Sequence, residues 1–153
     1  MNTESRKELV HLFDVRLQFT GTVEYGYTLA QSAAGVPIPE LGARFDVFFE
    51  GNVHGARLNG QIKGVDYVNL SPDGVSSLHI HAHITTHDGC HIAVHSDGIA
   101  RRRKGSVLAD LNESMSFATA DEPYLWINRL RGSGTGIVDS QSGQIDMTVT
   151  QES

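Results

Sequence analysis

Histidine is the residue type whose spacing in this sequence most favours chemistry. Six of the eight histidines fall between residues 79 and 95. His79, His81 and His83 alternate along one segment, and alternate residues of a β-strand point to the same face of a sheet. Their Cα atoms would lie roughly 6.6–6.8 Å apart, so that two imidazoles can converge on one metal or exchange protons near neutral pH.

Three interpretations of this histidine cluster stay open. The histidines can form a solvated strand face, line a binding site inside a barrel without metal, or hold a metal ion. Spacing does not identify a third and fourth metal ligand, and no Gly-x-Ser-x-Gly motif or phosphate loop is present. We therefore expect a protein without bound metal and without an organic cofactor.

A second group of candidates combines a carboxylate with aromatic and amide side chains. Asp66 beside Tyr67 can hold a hydroxylated or carbonyl ligand or take part in acid–base chemistry, although a tyrosine in a strand is also an ordinary core residue. Arg44 shares a strand face with Asp46, as pocket residues or as a surface pair. The predicted ligand-binding residues are Arg44, Asp66, Tyr67, His79, His81, Tyr124, Trp126 and Asn128.

The last three of these residues lie on one face of a predicted strand, Tyr124 to Arg131. Tryptophan and tyrosine line many ligand pockets, but the single tryptophan of a small barrel is usually a core anchor. Cys90 has no partner for an intramolecular disulfide, and no activating group is evident beside it.

The elements that must position these side chains are strands. Segments such as Phe13 to Thr20 alternate apolar and polar residues, which is typical of a half-buried strand. About nine or ten short strands separated by turn residues, with one helical stretch from Ser106 to Asn112, indicate an all-β, antiparallel fold. Glycines recur within the strands and closure removes sheet edges, so we expect a barrel, with a sandwich as the alternative.

The clearest hairpin has its turn at His87-Asp88-Gly89. If Asp88 and Gly89 form a two-residue turn, Thr85 pairs with Ile92, and each face of the hairpin then carries both histidines and aliphatic side chains. A turn displaced by one residue would reverse every assignment. Apolar side chains on both faces predict a covering partner, so we expect a homodimer or a higher homo-oligomer.

Four segments, in order, carry a resemblance to a known family. They are Phe49-Glu50-Gly51 with residues 55–60, Gly64-Val65-Asp66-Tyr67 with Asp73-Gly74, Leu78 through Gly89, and residues 117–119 with 124–128 and 132–134. Together they resemble the family catalogued as domain of unknown function 3237, also called uncharacterised protein family 0311. The resemblance implies a calycin-like or lipocalin-like barrel, often oligomeric, and brings no settled catalytic mechanism. His79 and His81 stand where that family often has Asp and Arg.

Composition narrows the classes of partner. The chain has 153 residues, with 18 acidic against 12 basic side chains, so no nucleic-acid partner is expected, and the run Arg101-Arg102-Arg103-Lys104 is interpreted as a solvated loop. No apolar run approaches the ~18 residues of a membrane helix. We expect a flexible segment over residues 1–8, a single barrel domain over 9–153, no membrane association and a cytoplasmic location.

These observations favour a small-molecule-binding β-barrel whose lumen accepts an apolar or aromatic, oxygenated ligand. One alternative is a cofactor-independent lyase, hydratase, isomerase or cyclase that transfers protons through lumen histidines or Asp66. Another is an oligomeric structural or interaction module.

Overall fold

Eight antiparallel strands form one closed barrel in the computed structural model, which describes residues 9–152. The strands are β1 (His11–Glu24), β2 (Ala43–His54), β3 (Asn59–Leu70), β4 (Val75–Thr86), β5 (His91–Arg102), β6 (Leu108–Ala118), β7 (Arg131–Asp139) and β8 (Gln144–Gln151). Each strand pairs with its neighbours in the sequence, and β1 pairs with β8 to close the sheet. The predicted all-β, calycin-like antiparallel barrel is confirmed, with eight strands instead of nine or ten. The segment 1–8, predicted to be flexible, lies outside the described residues.

The core lies inside the barrel because one apolar face of every strand points inward. On β1, buried Phe13, Val15 and Leu17 alternate with exposed residues. On β7 the inward positions include glycines, which leave room for long side chains from neighbouring strands. A Cβ atom on Gly134 would lie 2.8 Å from Sδ of Met147.

Helical segments occupy the two ends of the barrel. Helix α1 (Leu29–Ala33) and the loop after it lie between β1 and β2 at one end. A 3₁₀ helix (Glu122–Arg129) lies between β6 and β7, where Ile127 is fully buried in the core. Within the described residues, no helix is long and apolar enough to cross a membrane. The cytoplasmic location stays a prediction.

Two predicted elements are wrong. The stretch from Ser106 to Asn112 contains the start of β6, because its residues are paired on both sides by β5 and β7, and this pairing overrides a weak local helical pattern. Residues from Tyr124 to Arg129 form the 3₁₀ helix instead of a strand. Pro123 occupies the first turn of that helix, where its fixed φ and missing N–H are tolerated.

The β4–β5 turn is one residue longer than the two-residue turn considered from the sequence. The Thr86 N–H donates to the Cys90 carbonyl at 2.9 Å, and Gly89 takes a positive φ of 85°. Thr85 therefore lies opposite His91 instead of Ile92. This shift places Ile80, Ile84 and Ile92 inside the barrel and the histidines of both strands outside. The sequence predicts a homo-oligomer because both faces of the hairpin would carry apolar residues. The observed register removes this reason, and the homo-oligomer stays a prediction.

Candidate functional site

The barrel encloses a cavity of about 560 Å³, a volume within the usual range for small-molecule pockets. Aliphatic and aromatic side chains from the strands make up most of its wall. The cavity extends to the end of the barrel that carries α1, where α1, the loop after it and the β5–β6 connection form its mouth. The 3₁₀ helix covers the opposite end with Tyr124 and Ile127. Within residues 9–152, the lumen therefore opens at one end only and does not form a channel through the barrel.

Three polar side chains face this apolar cavity at one level. They are Asp66 on β3, Ser96 on β5 and Glu113 on β6. Asp66 lies opposite Ile80, Ile80 lies opposite Ser96, and Glu113 is two residues from the partner of Ser96. A few convergent polar groups in an apolar pocket are the usual design of a binding or catalytic site.

Glu113 is the most buried carboxyl group in this set, with 8% of its surface exposed. Ser96 Oγ donates a hydrogen bond to Glu113 Oε1 at 2.8 Å. Gly98 lies opposite, and a Cβ atom there would come within 2.8 Å of Glu113 Cγ, so the glycine leaves space for the carboxyl side chain. Burial raises the pKa of Glu113 to about 7, because the hydrogen bond from Ser96 offsets only part of the desolvation and the charge of Asp66 adds to it.

Asp66 is held where the β3–β4 ladder is interrupted. The ladder pairs Asp66 with Ile80 and resumes only at Asn69 with Ser77. Across this gap the backbone N–H of His79 donates to Asp66 Oδ1 at 3.0 Å, so the carboxylate takes the place of a ladder acceptor. Burial raises the pKa of Asp66 to about 6, against the lowering effects of the His79 N–H and of the His79 side-chain charge.

Both carboxyl groups have pKa values raised toward neutral pH. With pKa values of about 6 and about 7, Asp66 is mostly ionised at pH 7 and Glu113 is about half protonated. An ionised carboxylate can accept a proton or a hydrogen bond from a ligand, and a protonated one can donate. Carboxyl groups whose pKa values are raised toward neutral pH are suited to general acid–base catalysis.

Of the eight residues predicted to bind a ligand, Asp66 lines the cavity. Tyr67, His79 and His81 lie on the outer face of the sheet, next to Asp66 in sequence or in register but pointing away from the lumen. His79 Nδ1 lies 3.0 Å from Oδ1 of exposed Asp97, and the rings of Tyr67 and His81 are 6.1 Å apart. The expected entry of His79 and His81 into the same cavity as Asp66 is thus wrong, because the longer turn gathers Ile80, Ile84 and Ile92 on one face of the hairpin, and this face points inward.

The other four predicted residues do not line the cavity either. Arg44 is exposed on β2, with Nε 3.9 Å from Oδ1 of Asp46. Tyr124 lies in the 3₁₀ helix and its hydroxyl donates to Asp88 Oδ1 at 2.8 Å.

Trp126 and Asn128 belong to the same 3₁₀ helix, whose residues do not alternate between the faces of a sheet. The Arg57 guanidinium stacks over the Trp126 ring at 3.7 Å from its centroid. The Asn128 side chain bonds both backbone groups of Thr119 at 2.8 Å, which fixes the connection into the helix. These two residues have structural contacts at the covered end and do not line the cavity.

Sequence reasoning missed Ser96 and Glu113, although one signal marks both of them together with Asp66. Each is a polar residue at a position where the period-two pattern of its strand requires an apolar one. Glu113 interrupts the series Ala109, Leu111, Met115 and Phe117, and Ser96 interrupts the series Ile92, Val94 and Ala100. Polar residues within the apolar register of a closed sheet therefore identify the lumen groups.

No group of three or more His, Cys, Asp or Glu side chains in the stretch from residue 9 to residue 152 is arranged to hold a metal ion. On the outer face, the rings of His81 and His95 are 4.8 Å apart. The metal content of the protein stays a prediction.

The raised pKa of Glu113 makes a prediction for stability. A carboxyl group whose pKa rises from 4.5 to about 7 on folding stabilises the fold fully below pH 4.5, and this contribution is lost as the pH rises through 7. Glu113→Gln removes the titrating group, so the variant should not show this loss. The difference in free energy of unfolding, variant minus wild type, should therefore increase by about 3 kcal/mol from about pH 4 to about pH 8. Denaturant unfolding across this pH range measures it.

Glu50→Gln is the matched control, since Glu50 is exposed on the outer face of β2. The free energy of unfolding of this variant should change with pH in the same way as that of the wild type. Parallel curves for Glu113→Gln as well would show that the Glu113 carboxyl does not hold its proton in the folded state.

Solved structures with the same barrel come from distant sequences. A beta-barrel like protein from Acinetobacter baumannii AYE is 16% identical, with a TM-score of 0.74 and 94% of each chain covered. A protein with unknown function from Clostridium acetobutylicum is 17% identical, with a TM-score of 0.76, covering 95% of this chain and 99% of that one. A structure described as an enzyme from Penicillium herquei is 18% identical, with a TM-score of 0.63, covering 97% and 98%. At these identities the likeness shows the fold alone.

No protein of curated function matches the sequence. A family profile described as protein of unknown function (DUF3237) matches residues 7–150, which is nearly the whole barrel. The resemblance seen in the four sequence segments is thereby confirmed. The chain belongs to the DUF3237 family of proteins of unknown function.

Proposed function

We propose that the barrel lumen binds one apolar or aromatic small molecule that carries oxygen groups. The observation that carries this proposal is the apolar cavity of about 560 Å³ with Asp66, Ser96 and Glu113 at one level of its wall. Burial of the ligand against the apolar wall contributes affinity. The polar groups favour a ligand whose hydroxyl or carbonyl oxygens can form hydrogen bonds with them at that level.

The two carboxyl groups set the polarity of the ligand end that reaches them. A protonated Glu113 donates to a carbonyl oxygen, and an ionised Asp66 accepts from a hydroxyl group. A molecule with no hydrogen-bond donor or acceptor at that level would leave both carboxyl groups desolvated and unpaired, which costs free energy. Phenols, enols and ketones of aromatic or alicyclic compounds fit this requirement.

Filling the lumen should weaken binding. Ala109 lines the cavity on β6, and Ala93 is exposed on the outer face of β5. Ala109→Trp should weaken binding of the neutral fluorophore N-phenyl-1-naphthylamine by about ten-fold or more, because the indole occupies ligand volume. Ala93→Trp adds the same side chain outside the barrel and should leave the affinity unchanged.

Fluorescence titration measures both affinities, and circular dichroism verifies that both variants keep the strand spectrum of the wild type. Equal binding by the two variants would place the fluorophore outside the lumen. Failure of the wild-type protein to bind any hydrophobic fluorophore would contradict the proposal and favour the third function considered from the sequence, an interaction module.

A second candidate function is a cofactor-independent enzyme, and the Asp66–Glu113 pair favours it. Asp66 would remove a proton from a carbon or oxygen of the bound molecule, and Glu113 would donate a proton to another atom or hydrogen-bond to a developing enolate. Such proton transfers carry out isomerisation, hydration, elimination or ring closure without a change in oxidation state. The histidines considered for this role lie outside the lumen, so the role passes to the two carboxyl groups. The enzyme from Penicillium herquei has the same barrel fold.

Exchange of acidic C–H protons tests this candidate without knowledge of the natural substrate. In D₂O, the wild-type protein should accelerate deuterium exchange at the α-carbon of 2-tetralone, a bicyclic aromatic ketone, and the rate should rise as Asp66 ionises through about pH 6. Asp66→Asn should lower the catalysed rate by about 100-fold, the usual contribution of a general base. Proton NMR follows the exchange.

Asp97→Asn is the matched control, because Asp97 is exposed on the outer face of β5. It should exchange 2-tetralone at the wild-type rate. If Asp66→Asn exchanges 2-tetralone at the wild-type rate, Asp66 is not the base. This result would not affect the binding proposal, which the fluorophore titration tests separately.

A further inference from the structure

The mouth of the lumen carries a basic rim, defined here as Arg102, Arg103 and Lys104. These residues lie at the end of β5 and in the β5–β6 connection, and all three line the cavity where it opens. The chain as a whole has a formal net charge of −6, so the rim is opposite in sign to the protein that carries it. Three of the four residues in the run interpreted from the sequence as a solvated loop therefore line the mouth of the candidate site.

Two of the three rim charges are not neutralised within the described residues. Arg103 forms an ion pair with Asp110, with Nη2 2.8 Å from Oδ1. Arg102 donates from Nη1 to the Ser32 carbonyl of α1 at 3.0 Å, which leaves its charge without a counterion. Between residues 9 and 152, no carboxylate lies within 4.0 Å of Arg102 or Lys104.

The acidic group nearest to the rim in the cavity wall belongs to the β3–β4 turn. Asp73 lines the cavity, but its Oδ1 accepts the Val75 N–H at 3.0 Å and so holds its own turn. The other two acidic residues of the wall are Asp66 and Glu113, deep in the lumen. The pocket thus has cations at its mouth and proton-bearing carboxyl groups at its inner level.

The spacing between these two levels sets a length for the ligand. Ser96 and Arg102 are six residues apart on β5 and both side chains face inward. This separation is roughly 20 Å along a strand and roughly 15 Å along the axis of a barrel with ordinary strand tilt. An anionic group would be repelled at the inner level and attracted at the mouth, so charge determines which end of a molecule enters first.

We infer that the ligand class is an amphipathic acid, with a carboxylate, sulfonate or phosphate at the basic rim and an uncharged, oxygenated end at Asp66 and Glu113. This inference rests on the proposed function of the lumen and adds the polarity and direction of the bound molecule. Arg102 and Lys104 bind the anionic group, and Arg102 also connects that group to α1 through Ser32.

Two fluorophores with the same aromatic body and different charge separate the rim from the lumen. 8-Anilinonaphthalene-1-sulfonate is an anion, and N-phenyl-1-naphthylamine lacks the sulfonate. Arg102→Gln/Lys104→Gln should weaken binding of the anion by about ten-fold and leave the affinity for the neutral fluorophore unchanged, since only the anion contacts the rim. About 0.5 M salt should also weaken binding of the anion to the wild-type protein, because salt screens the rim charges.

The matched control is Lys63→Gln/Arg129→Gln, which removes the same net charge from the outer face of β3 and from the covered end of the barrel. It should leave both affinities unchanged, and Ala109→Trp should abolish binding of both fluorophores if both occupy the lumen.

Three results would overturn the inference. The first is an equal loss of affinity for both fluorophores in Arg102→Gln/Lys104→Gln, and the second is no loss for the anion in that variant. The third is anion binding that persists in Ala109→Trp. Each would show that the rim does not bind an anionic group of a lumen ligand. In these cases binding of the neutral fluorophore by the wild-type protein still supports the proposed function. If wild type binds neither fluorophore, the proposed function and this inference both fail.

Discussion

Closure of the sheet between β1 and β8 determines the direction of every strand side chain, because a closed antiparallel sheet leaves each residue only an inward or an outward position. Asp66, Ser96 and Glu113 are on the inward set of their strands, so they must enter an apolar lumen. Their desolvation is only partly offset by the His79 N–H and the Ser96 hydroxyl. The raised pKa values of Asp66 and Glu113 follow from this placement, and the proposed ligand class is based on it.

The same constraint gives the lumen a direction. The 3₁₀ helix covers one end with Ile127 and Tyr124, and the mouth lies at the other end beside α1. A ligand that enters meets the basic rim first, then an apolar wall, and finally the two carboxyl groups. Under the proposed function, orientation depends on the basic rim, affinity on the apolar wall and proton transfer on the two carboxyl groups, while the histidines of β4 and β5 lie on the outer surface.

Sequence reasoning predicted the fold well because period-two alternation is a local signal that closure of the barrel does not change. It identified Asp66 but misplaced His79 and His81, because their face depends on a single turn residue that the Asp88-Gly89 pattern does not determine. Glu113 was missed since the weak helical pattern at Ser106–Asn112 hid the start of β6, and only pairing with β5 and β7 shows its register. The 3₁₀ helix was missed because Tyr124, Trp126 and Asn128 imitate the alternation of a strand.

Direct titration of the two lumen carboxyl groups tests the central claim, which is that Asp66 and Glu113 hold their protons to near-neutral pH inside the barrel. Carbon-13 NMR of the side-chain carboxyl carbons, assigned with Asp66→Asn and Glu113→Gln, reports each group separately. We expect midpoints at about 6 for Asp66 and about 7 for Glu113. Midpoints at the ordinary values of 3.8 and 4.5 would contradict the account, because both groups would then be hydrated carboxylates without a role inside an apolar pocket.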